Sequence, residues 1–137
     1  MKILFLTTHV NTGGITSYIL TLGEALVKAG HQVWVVSSGG DGESRLTDAG
    51  IRLVTMNIRT KSEAHPKLLF SLPALKKLIR QEGIDIIHAQ TRVTQVLGAW
   101  GRRLTGVKMV TTAHGFFKPR WFRKTFPCWG DAVIAIS

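Results

Sequence analysis

The chain has 137 residues, of which 45% are hydrophobic and 19% are charged, which describes one packed domain and excludes a disordered segment. No apolar run reaches the ~18 residues that span a bilayer, and the first residues lack the features of a signal peptide, so we expect a cytoplasmic protein. The net charge of +10 is concentrated after residue 50, where fifteen Lys and Arg stand against four Asp and Glu, and it indicates an anionic partner: nucleic acid, phosphorylated substrate or anionic lipid.

The first predicted elements are a strand over residues 2–7, a turn over residues 11–14 and a helix that ends near Ala29. The strand is a short apolar run that suits coverage on both faces, so we place it at the centre of a sheet. The turn contains Asn11, Gly13 and Gly14, which tolerate positive φ and let a ligand approach the backbone. Beside a helix N-terminus, such a turn attracts an anion such as phosphate; alternatively, the glycines only make a tight connection.

The rest of the chain alternates between strands and helices. We predict strands over residues 32–38, 51–56, 84–88, 107–112 and 131–136, and helices over residues 43–49, 66–82, 90–104 and 119–126. The fourth of the five predicted helices, over residues 90–104, is expected to point Val93, Val96, Leu97 and Trp100 inward.

This alternation predicts an α/β fold with a doubly wound, Rossmann-like parallel sheet in three layers, α/β/α, with the strand order 3-2-1-4-5-6. Ligands bind such sheets at the carboxyl ends of strands 1 and 4. Gly13, His88 and His114 all fall at carboxyl ends of predicted strands, so they are the first candidate site residues.

The motifs of several common α/β proteins are missing. The first turn lacks G-x-G-x-x-G and the second strand ends in Ser37 and Ser38 without an acidic residue, which argues against a dinucleotide-dependent oxidoreductase. Neither a phosphate-binding P-loop nor a nucleophile elbow is present. The lone Cys128 forms no internal disulfide, and no metal site is predicted. The sequence contains no RRM, KH or helix-turn-helix signature, so nucleic acid is not the expected partner.

Five motifs in a fixed order carry a family resemblance. They are Gly13-Gly14, Ala29-Gly-His-Gln-Val33, Asp85-Ile-Ile-His-Ala-Gln90, Thr111-Thr-Ala-His-Gly115 and Asp131-Ala-Val-Ile-Ala-Ile-Ser137. Over nearly its whole length the chain resembles the N-terminal domain of the retaining glycosyltransferases of family four. That family has the GT-B fold, in which the first of two Rossmann-like domains takes the acceptor and the second holds the sugar nucleotide.

The resemblance implies transfer of a sugar from a nucleotide-sugar donor to a lipid- or saccharide-linked acceptor of the cell envelope, with no other cofactor. Residues 1–137 correspond to the N-terminal domain, and the C-terminal donor-binding domain, which carries paired glutamates, is not among them. We therefore expect the isolated chain to be inactive. The alternative is a non-catalytic module that binds an anionic glycolipid or another polyanion.

The resemblance also implies roles for individual residues. Gly13 and Gly14, with Asn11, approach the donor diphosphate, and His114 matches the family's histidine near the transferred sugar. Arg59 and Lys61 lie where some members bind an anionic acceptor. The remaining implied substrate-binding residues are Gln90, Thr91, Arg92, Thr112, Gly115, Phe116 and Ser137.

Both histidines have two interpretations. His114 is expected to donate a hydrogen bond to a sugar hydroxyl or to charge that develops in the reaction. Alternatively, it only caps backbone groups beside Gly115. For His88 we expect a packing role, since the family often has a second histidine where this chain has Gln90.

Residues 118–129 are predicted to be amphipathic, because Arg120, Arg123 and Lys124 fall on one arc of a helical wheel and Trp121, Phe122 and Phe126 on the opposite arc. Tryptophan next to cations is typical of an interfacial helix. We therefore expect an anionic membrane surface on the cytoplasmic side as a partner of Lys118 and this segment. The alternative is that the aromatic arc packs on the sheet or on the second domain.

Overall fold

The computed structural model describes residues 1–114, 125 and 128–136, and it contains a six-stranded sheet with helices on both faces. The strands are β1 (Lys2–Leu6), β2 (Gln32–Ser37), β3 (Arg52–Thr55), β4 (Ile86–Ala89), β5 (Lys108–Ala113) and β6 (Ala132–Ala135). The helices are α1 (Gly14–Lys28), α2 (Glu43–Asp48), α3 (Pro66–Glu82) and α4 (Arg92–Thr105). The predicted helix over residues 119–126 lies outside the described residues apart from Thr125.

The sheet is parallel throughout and has the order β3-β2-β1-β4-β5-β6, which confirms the predicted topology. In its centre, Leu4 of β1 is in register with Trp34 of β2 and Ile87 of β4. The side chains of Leu4, Phe5 and Leu6 have no exposed surface. Strand β1 is therefore the central strand that its apolar run indicates.

Alternate residues of β1 enter two different cores. Leu4 and Leu6 pack with α3 and α4 on one face of the sheet. Ile3 and Phe5 pack with α1 and α2 on the other face. Because successive side chains of a strand point to opposite faces, one short strand holds both layers of helices in place.

The α4 helix differs from the prediction at Trp100, which is 44% exposed rather than inward. The buried side of α4 runs instead through Gly98 and Gly101. A Cβ on Gly98 would lie 3.1 Å from Met109 Cε, and one on Gly101 would lie 3.1 Å from Leu75 Cδ2. The helix therefore approaches β5 and α3 through glycines, and the indole remains outside.

In the described part of the chain, no helix has the length and apolar character that a membrane crossing requires.

Candidate functional site at the carboxyl edge of the sheet

The loops that follow the strands lie at one edge of the sheet, because all strands run in the same direction. The loop after β1 carries Asn11, Gly13 and Gly14, and the segment after β3 carries Arg59 and Lys61. On the other side of β1, β4 is followed by Gln90 and β5 by His114. The sequence-predicted site residues thus converge where open α/β sheets bind their ligands.

Gly13 and Gly14 do not use the positive φ that glycine tolerates. Gly13 is extended, with φ 165° and ψ 178°, and Gly14 is the first residue of α1. Apart from its chain neighbours and the backbone of its own helix, no atom of the described residues lies within 4 Å of where a Cβ on Gly14 would stand, and both glycines are exposed. Their contribution is therefore open space above the backbone rather than an unusual turn.

The start of α1 presents unpaired amide groups. The N–H groups of Gly14 and Ile15 have no acceptor within the described residues, as is usual in the first turn of a helix. This first turn contains no acidic residue. With the positive end of the helix dipole, the free N–H groups form an electrostatically favourable place for an anion.

Residues 11–14, here called the glycine loop, are held in place by the loop after β2. The carboxylate of Asp41 accepts hydrogen bonds from the backbone N–H of Thr12, at 2.6 Å, and from its hydroxyl, at 3.1 Å. The N–H of Gly42 donates to the carbonyl of Val10 at 2.9 Å. The Asn11 carbonyl accepts from Thr16 Oγ1 at 2.6 Å. The open space above Gly14 is therefore bordered by a fixed backbone.

His114, directly after β5, is half-buried and is held from two sides. Its Nε2 lies 2.6 Å from Oε1 of Gln90, and the ring of Tyr18 meets it edge-on, with 4.8 Å between the ring centroids and an interplanar angle of 84°. Partial burial lowers the pKa of the His114 imidazole, because desolvation disfavours the charged ring. The ring is therefore neutral at neutral pH.

Below His114 lies a second histidine, His88, which is 5% exposed. Its ring stacks on Phe5 at 5.0 Å, and its Nε2 lies 2.5 Å from Oγ1 of Thr112. The same hydroxyl is 3.1 Å from the Tyr18 hydroxyl. Burial, and to a lesser degree the positive charge that His114 can carry, lower the pKa of His88 to about 4. The packing role expected for His88 agrees with these contacts.

Three of the residues predicted to flank the substrate are buried. Gln90 is 1% exposed, Thr112 is fully buried and Arg92 is 8% exposed. Gln90 and Thr112 are taken up by contacts within the site, and Nε of Arg92 lies 3.3 Å from a carboxylate oxygen of Glu63. These residues follow or belong to β4 and β5, whose carboxyl ends lie below the surface of this edge. They support the site from beneath.

Thr91 has a local role. Its hydroxyl oxygen accepts from the N–H of Thr94, and the two side chains form a capping box at the start of α4. The Thr91 hydroxyl therefore caps the N-terminus of α4, the helix that covers β4 and β5.

A cavity of about 580 Å³ lies beside the glycine loop, lined by Thr8, His9, Arg59, Thr60 and Lys61. Within the described ranges the ion pairs are Lys28–Glu24, Arg92–Glu63 and Arg102–Asp131, so neither cation of the cavity is neutralised by one of them. The cavity is therefore suited to a negatively charged group.

Sequence reasoning missed the role of Tyr18. Helical periodicity places it only on the inward face of α1, yet its ring contacts His114 and its hydroxyl contacts Thr112. The available signal was its position in the second turn of the helix that follows the glycine loop.

The other residues predicted from the sequence lie outside the described part of the chain. They are the site residues Gly115, Phe116 and Ser137 and the predicted membrane residues Lys118, Arg120, Trp121, Phe122, Arg123 and Lys124.

Another cavity of about 580 Å³ lies between α4 and the start of β6, lined in part by Trp100, Met109 and Trp129. It is near the amino ends of β5 and β6, away from His114 and the glycine loop. Cys128 borders it and is partly buried, and this burial raises the pKa of its thiol. In residues 1–114, 125 and 128–136, no three His, Cys, Asp or Glu side chains cluster as metal ligands.

Comparison with known proteins adds three findings. Residues 12–137 match the model of Glycosyltransferase Family 4. The chain is 25% identical over 115 residues to one subunit of the human phosphatidylinositol N-acetylglucosaminyltransferase, a match that covers 80% of this chain and 24% of that protein. The chain thus spans about a quarter of the length of the curated relatives it matches.

Among solved structures, the glycosyltransferase from Rickettsia africae superimposes with a TM-score of 0.75 at 24% identity, covering 91% of this chain and 33% of that one. MurG from Acinetobacter baumannii superimposes with a TM-score of 0.74 at 16% identity, covering 98% of this chain and 40% of that one. At these identities the likeness establishes the shared fold.

Proposed function

Because the chain belongs to Glycosyltransferase Family 4, we propose that it forms the acceptor-side half of an enzyme that transfers a sugar from a nucleotide-sugar donor to a lipid- or saccharide-linked acceptor of the cell envelope. One observation carries the proposal. His114, neutral and half-buried, shares the carboxyl edge of the sheet with the unpaired amides at the start of α1 and the open space above Gly14. His114 supplies a polar group for a sugar, and the amides and open space at the start of α1 supply a binding place for a diphosphate.

In this proposal the donor diphosphate lies against Gly13 and Gly14. The free N–H groups of Gly14 and Ile15 donate hydrogen bonds to its oxygens, and the dipole of α1 favours its charge. Any side chain on Gly14 would occupy the space that the phosphate needs. The glycines therefore serve ligand approach, and the bond of Thr12 to Asp41 keeps the loop in place.

The acceptor carries a negative charge that Arg59 and Lys61 bind. Both side chains line the cavity beside the glycine loop, and neither takes part in an ion pair within the described residues. The human relative is named for phosphatidylinositol, whose phosphate is such a group. A phosphate-bearing lipid acceptor at this cavity fits the excess of cations after residue 50.

A donor-binding domain completes the cleft in this proposal. The edge strand β6 exposes Val133 at 48% and Ile134 at 39%, although strands of parallel sheets are normally covered on both faces. Trp129, just before β6, is 39% exposed. This apolar edge supports further protein packing against β6.

The experiment joins this chain to the remaining part of the Rickettsia africae glycosyltransferase and measures transfer from a panel of nucleotide sugars to vesicles with or without phosphatidylinositol. We expect transfer by the fusion and none by residues 1–137 alone, because half a cleft does not position the donor. The control is the Rickettsia africae part alone, without this chain.

Three outcomes would contradict parts of the proposal. Transfer by residues 1–137 alone would show that no second domain is needed. A folded fusion that binds anionic glycolipid but transfers nothing would favour the non-catalytic binding module. Equal transfer by the fusion with Arg59→Gln and Lys61→Gln, set against Lys76→Gln and Lys77→Gln on α3, would remove the acceptor role of this cavity.

A further inference from the structure

We propose that Gln90 is a positioning residue that holds His114 in the tautomer protonated on Nε2, so that Nδ1 accepts a hydrogen bond from a sugar hydroxyl. The choice of a sugar hydroxyl as ligand rests on the proposed function. The assignment of the tautomer rests on the contacts of this chain alone.

The contacts of the Gln90 amide define its orientation. Its Nε2 lies 3.5 Å from the carbonyl oxygen of His88, while its Oε1 lies 2.6 Å from His114 Nε2. If the amide were turned over, its oxygen would face the His88 carbonyl, and two acceptors would meet in a buried place. Because Gln90 is 1% exposed, water does not resolve such a conflict. The amide oxygen therefore faces His114.

The contact between Gln90 and His114 also determines which ring nitrogen carries the proton. An amide oxygen accepts hydrogen bonds and donates none, so a contact of 2.6 Å requires that His114 Nε2 carries the hydrogen. A neutral imidazole has one N–H, which leaves Nδ1 with a free lone pair. Within the described residues, Nδ1 of His114 has no partner.

Gln90 and Tyr18 are themselves held by neighbouring groups. The backbone N–H of Gln90 donates to Leu6 at 3.0 Å, which extends the pairing of β4 with β1 by one residue. The Tyr18 ring meets His114 edge-on, and its hydroxyl is tied to Thr112 at 3.1 Å. The His114 ring is thus held by the contact with Gln90 and by the nearly perpendicular Tyr18 ring.

The protonation state agrees with this arrangement. Within the described residues, the groups that face His114 are the neutral amide of Gln90, the Tyr18 ring and, through Tyr18 and Thr112, the neutral His88. None of them is an anion, and burial lowers the pKa of His114. Nδ1 is therefore an acceptor at neutral pH, which reverses the expectation that His114 donates a hydrogen bond to the sugar.

The test is long-range ¹H–¹⁵N NMR of the purified 137-residue chain at pH 7.5, which shows which ring nitrogen carries the proton. We expect His114 to be protonated on Nε2 in essentially all molecules. A parent chain in which His114 carries its proton on Nδ1 would overturn the proposal, and this result needs no variant to fold.

Two variants test whether Gln90 is the cause. Gln90→Met keeps the volume but removes the acceptor, and we expect the Nδ1–H tautomer to become measurably populated. Gln90→Glu keeps the acceptor and adds a charge, so Nε2 stays protonated and the titration midpoint of His114 rises. Gln95→Met replaces a second buried glutamine, in α4, and is expected to leave His114 unchanged. A His114 tautomer unaffected by Gln90→Met, in a chain whose other imidazole resonances are unchanged, would overturn the proposal.

The link to function is measured separately in the fusion protein. We expect Gln90→Met to lower kcat by roughly 10-fold or more with little change in KM, within the range for one positioned polar group. A fusion that transfers no sugar while the NMR result stands would refute the proposed function and leave the tautomer assignment intact. Unchanged kcat in an active fusion would refute the positioning role.

Discussion

Hydrogen bonds and a ring contact link His114 to His88, but the two histidines differ in what surrounds them. His114 lies half-buried at the edge of the sheet, whereas His88 is 5% exposed and stacks on Phe5. Thr112 and Tyr18 connect the two rings. The upper ring is therefore available to a ligand, and the lower ring is part of the core.

Replacing His114 should reduce activity without loss of the fold. In the fusion with a donor-binding part, we expect His114→Ala to lower turnover by ~10²-fold or more, within the range for one positioned polar group. The control is His31→Ala, since His31 contacts the terminal amine at the opposite edge of the sheet. Steady-state kinetics measure the effect, and unchanged turnover would assign His114 to structure.

The low pKa of His88 predicts a loss of stability in acid. The ordinary value of 6.5 falls to about 4 in the folded chain, so between these pH values the unfolded chain binds a proton that the folded chain does not. The contribution of His88 to the free energy of unfolding is therefore greatest above pH 6.5, and it decreases as the pH falls from 6.5 to about 4. We expect His88 to account for a loss of about 3 kcal/mol between pH 7 and pH 4.

Urea denaturation at a series of pH values measures this effect. The control is His88→Gln, which retains a polar side chain for Thr112 but does not titrate. Its unfolding free energy should depend less on pH than that of the parent by the same amount. Parallel profiles for the two chains would show that His88 is protonated in the folded state as readily as in the unfolded state.

Among the elements, α2 depends on a glycine at its start. The N–H of Gly42 donates to the Val10 carbonyl, and a Cβ on Gly42 would lie 2.4 Å from that oxygen and 2.9 Å from Thr16 Cγ2. This contact binds α2 to the loop after β1 and to α1. The start of α2, which follows β2 in the chain, therefore helps to fix the position of the glycine loop.

We expect Gly42→Ala to destabilise the chain by about 1–3 kcal/mol, because backbone atoms must move to admit the methyl group. The matched control is Gly14→Ala at the first residue of α1, where the methyl group meets no other part of the described chain within 4 Å and little change in stability is expected. Urea denaturation compares them. A Gly42→Ala chain as stable as the parent would mean that the loop and α2 can separate at little cost.

At the scale of the whole molecule, the positive charge predicts binding to anionic membranes through residues 118–129. Each cation near an anionic leaflet contributes about 1 kcal/mol, and the attraction weakens with salt. Liposome co-sedimentation should show binding that needs anionic lipid and falls when Arg120, Arg123 and Lys124 become Gln. The control replaces three cations of α3, Lys76, Lys77 and Arg80. Equal loss in both variants would show that general charge, not this segment, binds the membrane.

Local signals in the amino-acid sequence were sufficient to predict the strand order, the central position of β1 and the edge of the sheet at which Gly13, Gly14 and His114 lie. These signals are the apolar runs, the alternation of strands and helices, and the rule that parallel strands share one carboxyl edge. The family motifs belong to the same kind of information, because each is a short run of neighbouring residues.

The side chains that meet at that edge are specified by tertiary contacts instead. Gln90 and His114 are 24 residues apart in the chain, and Tyr18 and Thr112 are 94 apart, so the pairing of β4 with β5 and the packing of α1 bring them together. Gln90 and Thr112 are buried because other elements cover the carboxyl ends of β4 and β5, and no local sequence pattern specifies that covering. Local periodicity specifies the face of an element, whereas burial and the direction of a hydrogen bond depend on several elements at once.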